Sequence, residues 1–134
     1  MSEENVQIIR RLVEAYNEGG FGAEATLDFF DEAAAFEEPP EQPGATTAEG
    51  IDAVAQTFGQ FDEVWEEHRS DPEEIRVLDA ERVLLLTVEH FRGREGLELS
   101  QPSGTVFTLR NGKIVRMQAF WERESAFKAA GLSE

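Results

Sequence analysis

The chain has 134 residues, enough for one domain (1–134) that buries roughly two-thirds of its unfolded surface. With 40% hydrophobic and 30% charged residues and no cysteine, disorder, disulfides and thiolate-bound metal are all excluded. A formal net charge of −16 repels phosphate backbones and anionic lipids, so neither nucleic acid nor a membrane surface is an expected partner.

The acidic, polar start MSEENVQ and the lack of any membrane-length apolar run point to the cytoplasm. A first helix follows, with Ser2 as its cap, Glu3 and Glu4 at the positive end of its dipole, and Gly19-Gly20 as its stop. Val6, Ile9, Leu12, Val13 and Tyr16 form its apolar stripe. A short second helix is expected over about residues 23–30. AAAF (33–36) reads as an extended segment halted by Pro39 and Pro40. EPPEQPGATTAEG (38–50) is loop, ending in the capping-box spacing of Thr46 and Glu49. A third helix presents Ile51, Val54, Phe58, Phe61 and Trp65 on one face and stops near Ser70-Asp71-Pro72.

From there the period becomes alternating, and 73–79, 82–92, 97–110 and 113–121 read as strands. Asn111-Gly112 predicts a type I′ hairpin, and RGREG (92–96) a second one. A closing helix runs from about Glu122 to Ala130. Helices followed by a meander give an α+β fold, with helices packed in the concave face of a curved, mostly antiparallel sheet that encloses a pocket. Both faces of 82–92 are apolar, so the outer face needs a cover, and a homodimer packing sheet to sheet would supply it.

There is no Gly-rich phosphate loop, no Ser-His-Asp pattern and no clustered metal-ligand spacing, so neither cofactor nor metal is expected. The two histidines, His68 and His90, sit apart on a predicted helix end and a strand. Glu37 and Glu38 lie in an extended segment and point to opposite faces, and which one faces the pocket depends on register. The same holds for Glu89 and His90.

AYNEGG (15–20), DEAAAFEEPPE (31–41) and NGKIVRMQAFWERE (111–124) together resemble the nuclear-transport-factor-two-like superfamily. Within it the chain is similar to SnoaL-like polyketide cyclases and, more distantly, to ketosteroid isomerases. The resemblance to the isomerases places Glu38 of Phe36-Glu37-Glu38-Pro39 at the general-base position. It turns Met117, Ala119 and Trp121 of the last strand toward the pocket. The isomerase oxyanion donors have no counterpart: their positions hold Leu12 and a residue near Thr105. No acidic residue in GTVFTLR (104–110) matches the cyclase aspartate.

The expected site therefore has Glu38 as base and His90 as its partner, with Tyr16, Phe58, Phe61, Trp65, Thr105, Phe107, Met117 and Trp121 against the ligand. The expected function is binding of a small hydrophobic or amphipathic molecule, with cofactor-free isomerisation or cyclisation if the protein is an enzyme. The alternative is a non-catalytic ligand carrier or a dimerisation module whose cavity is filled by its own side chains.

Overall fold

The computed structural model describes residues 2–132 except the side chain of Ser2, so the capping role expected of Ser2 lies outside the described residues. Helix α1 (Ser2–Gly19) ends where Gly20 adopts φ +99°, a conformation that costs glycine little. Its stripe packs as expected: Ile9, Leu12, Val13 and Tyr16 are all buried. After a single-turn helix α2 (Glu24–Leu27) come β1 (Phe30–Glu37), β2 (Thr47–Glu49) and α3 (Ile51–Val64). The meander β3 (Glu67–Val77), β4 (Arg82–Arg92), β5 (Glu98–Arg110) and β6 (Lys113–Phe120) follows, then α4 (Arg123–Ala129).

The strands form one six-stranded sheet in the order β2-β1-β6-β5-β4-β3, antiparallel except where β1 pairs with β6. Asn111 (φ 52°) and Gly112 (φ 79°) make the I′-like turn between β5 and β6. The curved sheet wraps α1 and α3, and the core between them holds Val54, Phe58, Val83, Leu85, Phe107, Ile114 and Met117.

Three local expectations give way. Thr46 and Glu49 do not cap α3: residues 47–49 pair with β1 as a strand, and Gly50 (φ 90°) stands at the cap without a side-chain bond. Phe30 begins β1 instead of closing α2. Helix α3 stops at Trp65, whose backbone is already extended, and β3 starts at Glu67 rather than 73. The strand carries Pro72 because it lies at the sheet edge, where a missing N–H breaks no second ladder, and its pairing shifts register between Pro72 and Glu74.

The outer face of the sheet has its own cover. Leu84, Leu86 and Val106 are buried against Ala126 and Ala130 of the α4 segment, with Phe120 and Phe127 packed beside them. The shield that the apolar pattern of β4 demands is thus supplied, over this part of the face, from within the chain. Gly104 permits the close approach: a Cβ built there would sit 2.6 Å from the Ala126 Cβ.

Candidate functional site

Strand alternation decides which side chains of β4 reach the interior. Val83 and Leu85 belong to the helix-side core and Leu84 and Leu86 to the α4-side cluster. Thr87, Glu89 and Phe91 therefore face the helices, and His90 faces outward. The same alternation on β3 turns His68 and Ser70 inward, while Glu67 and Arg69 remain exposed.

Glu89 is the centre of a polar network sunk among apolar rings. One carboxylate oxygen receives His68 Nε2 at 2.5 Å, Ser70 Oγ lies 2.6 and 2.7 Å from the two oxygens, and Thr87 Oγ1 reaches the second at 2.5 Å. An ionised carboxylate only accepts, so each of these partners donates, and His68 carries its proton on Nε2. The neutral ring then keeps its lone pair on Nδ1. Glu89 stands to His68 as an orienting carboxylate stands to a catalytic imidazole: it fixes the tautomer and can balance the imidazolium.

The network is braced from α1. Asn17 Nδ2 donates to the Ser70 carbonyl and the Ser70 N–H donates to Asn17 Oδ1, each at 2.8 Å. The Tyr16 phenol stands beside the Ser70 hydroxyl. Burial first, and the nearby Glu89 charge second, push the Tyr16 phenol far above its ordinary value of 10.0. Tyr16 therefore keeps its proton and is not a base. Around the imidazole stand Phe21 (5.0 Å between centroids), Phe91 (4.9 Å) and Phe61 (5.2 Å).

His68 and Tyr16 line a cleft of 670 Å³ between the C-terminal ends of α1 and α3 and the β3–β4–β5 ends of the sheet. Such a volume suits a small organic ligand. Of the residues expected against a ligand, Tyr16, Phe61 and Trp65 line this cleft. Phe58, Phe107 and Met117 are enclosed in the core, and Thr105 is half-buried on the inner sheet face beside Leu85. Trp121 lies past the end of β6, 41% exposed, and lines no part of the cleft. His90 reaches the cleft rim from the outer face, with Nε2 2.9 Å from Asp71 and Nδ1 3.0 Å from Ser100 Oγ.

Glu38 is elsewhere. Glu37 points outward to Arg116 (2.5 Å) and Gln118 (3.2 Å), while Phe36 packs inward on Phe58. Glu38 folds onto its own loop, where Oε1 accepts the Thr46 N–H at 2.9 Å and lies 3.3 Å from the Thr46 hydroxyl. It borders a second hollow, of 710 Å³, with Thr46, Gln118 and Phe120. The structure does not bring Glu38 and His90 together. The same loop is tied to the sheet by Glu41, which accepts the Trp121 and Glu122 N–H groups. Partial burial works to raise the Glu41 pKa, but those donors, its own N–H and the Ser125 hydroxyl together hold it below 4.5. Among the described residues no three His, Asp or Glu side chains converge as metal ligands, and no helix is long and apolar enough to cross a membrane.

The expected site left out His68, Ser70 and Glu89, although the sequence left open whether Glu89 or His90 faces the pocket. The signal was present in EHRSD (67–71), whose alternation becomes visible once the segment is read as a strand and not as the tail of α3.

Solved structures share this architecture. TerC, co-crystallised with polyporic acid, is 16% identical with a TM-score of 0.78, over 96% of this chain and 98% of that one. A protein of ketosteroid isomerase-like fold from Catenulispora acidiphila, in complex with trimethylamine, is 14% identical with a TM-score of 0.74 over 95% and 94%. A candidate SnoaL-like polyketide cyclase from Jannaschia is 17% identical with a TM-score of 0.74 over 99% and 95%. At these identities the likeness is one of fold. No curated protein matches the chain. The profile of the SnoaL-like domain matches residues 9–117, from α1 to Met117 of β6, and the chain belongs to that family.

Proposed function

We propose that this SnoaL-like protein binds a small hydrophobic or amphipathic molecule in the cleft beside His68 and moves a proton on it without a cofactor. The observation that carries the reading is His68 on the wall of that cleft, bonded to the Glu89 carboxylate. Nδ1 of His68 would accept a proton from a bound carbon acid, Glu89 would offset the charge formed on the ring, and the protonated ring would return the proton elsewhere on the ligand. A positioned base of this kind contributes about 10²–10⁴-fold. Fold relatives that bind polyporic acid and trimethylamine support occupancy by small molecules in general.

The test is hydrogen–deuterium exchange at the α-carbon of a panel of small carbonyl compounds, followed by NMR in D₂O. Wild-type protein should accelerate exchange for at least one compound, and His68→Gln should lose about 100-fold or more of it. Exchange retained in His68→Gln and lost in Glu38→Gln would move the base to Glu38, the position the resemblance favours. Binding with no exchange by wild type would leave a ligand carrier, a reading to which the side-chain-filled core around Phe58, Phe107 and Met117 lends weight.

Homodimerisation is a separate proposal. With Leu84, Leu86 and Val106 under α4, a partner would use the rest of the outer face, around Val88 and Pro102. Sedimentation at micromolar concentration should give twice the 15.0 kDa chain mass; a monomer alone would overturn it.

A further inference from the structure

Resting on the reading that the cleft beside His68 is the binding site, we propose that its ligand is a cation: an amine or quaternary ammonium carried on an apolar body. Three observations converge. The first is the wall. Phe61, Trp65 and Phe91 all line the cleft, and Phe91 packs against both of the others, with Trp65–Phe91 centroids 4.8 Å apart and Phe61–Phe91 5.9 Å. Aromatic faces attract a cation and repel an anion.

The second is the balance of charge. Asp62, Glu66, Glu67 and Glu98 line the cleft against Arg69 and Arg92. Both guanidinium groups are already engaged: Arg69 holds Asp71 at 2.7 Å and Arg92 holds Glu67 at 2.5 Å. Arg92 Nε has no acceptor, but it is sealed from solvent and cannot recruit an anion. Asp62 is occupied by the N–H groups of Phe21 and Gly22 (3.1 and 2.8 Å), which leaves Glu66 and Glu98 as rim carboxylates with no ion pair among the described residues. Among the described residues, an anionic ligand would find both arginines of the cleft already paired, whereas a cationic one meets Glu66 and Glu98 within a field of net charge −16.

The third is the apolar rim. Leu99, 46% exposed, lines the same cleft and would otherwise offer bare hydrocarbon to water. It fits the body of the ligand.

The experiment is a two-dimensional ¹⁵N NMR titration of the whole chain with benzyltrimethylammonium, benzyl alcohol and benzoate, which share a ring and differ in charge. The cation should bind at least 10-fold more tightly than the alcohol, and benzoate more weakly still. Shifts should centre on the Trp65 indole N–H and the amides of His68 and Phe91. The double variant Glu66→Gln/Glu98→Gln, changed only at exposed positions, should lose about 5–10-fold for the cation and nothing for the alcohol. Benzoate or the alcohol binding as tightly as the cation, shifts centred elsewhere, or no saturable binding by the cation would each overturn the proposal. The two readings fail separately. Cation binding with no proton exchange defeats only the acid–base role, and exchange without cation preference defeats only this one.

Discussion

Glu89→Ala should lower the unfolding free energy by about 3–5 kcal/mol, the largest single effect in the polar centre. Three donors converge on that carboxylate: His68, Ser70 and Thr87. Ser70 and Thr87 are buried, and His68 is packed among Phe21, Phe61 and Phe91. Removing the acceptor leaves all three desolvated without a partner, and each orphaned polar group costs about 1–3 kcal/mol. A domain of this size holds about 5–15 kcal/mol in total, so urea unfolding should show a much lower midpoint with an unchanged slope. Glu89→Gln keeps the shape and some acceptor capacity, and should cost distinctly less. A loss below about 1 kcal/mol for Glu89→Ala would mean that water replaces the carboxylate and that the network is not closed.

Gly104→Val should destabilise by about 3 kcal/mol or more and release α4 from the sheet. By strand propensity alone the change is favourable, since valine suits a central strand and glycine weakens one. The distance decides the sign. A Cβ at 104 falls 2.6 Å from the Ala126 Cβ, closer than two carbons can stand, and the Leu86 side chain at 3.4 Å closes the escape. Hydrogen exchange should show loss of protection in 123–129 while the β4–β5 amides stay protected. Ala126→Gly in the same chain should recover much of the loss, because the pair then exchanges a clash for a contact. A Gly104→Val protein as stable as wild type, with α4 still protected, would show that the helix can shift without cost.

Period and turn chemistry made most of the fold legible. The α1 stripe, the bounds of β4 and the Asn111-Gly112 turn follow from apolar spacing and from residues that tolerate positive φ. The start of β3 was not legible, because EHRSDP carries polar residues on both faces and a proline, which mimic the end of a helix. Its inward residues are polar because they serve a buried carboxylate, so hydrophobic periodicity cannot detect them. That one local misreading hid the site: with His68 on a helix end, Glu89 had no visible partner and His90 stood out instead. The FEEP segment shows the complementary limit. The alternation of Glu37 and Glu38 is a local property, but where Glu38 ends up depends on Thr46, eight residues on, and on how the loop between them closes.

The placement of α4 has a consequence for how the protein is made. Leu78 and Phe120 flank Leu84, Leu86 and Val106, but the rest of their cover, from Ala126 to Leu132, follows the entire sheet in sequence. During folding, β3 to β6 can pair and close over α1 and α3 before 123–130 dock. For that interval the folding domain carries a finished inner core and a bare apolar strip on its back. The last step of folding is then the docking of one short helix, and Gly104 sets how closely it can dock. Chaperone contact and mispairing between neighbouring folding chains would concentrate on that strip, so the quality of the α4 seat governs the yield of the protein as well as its stability.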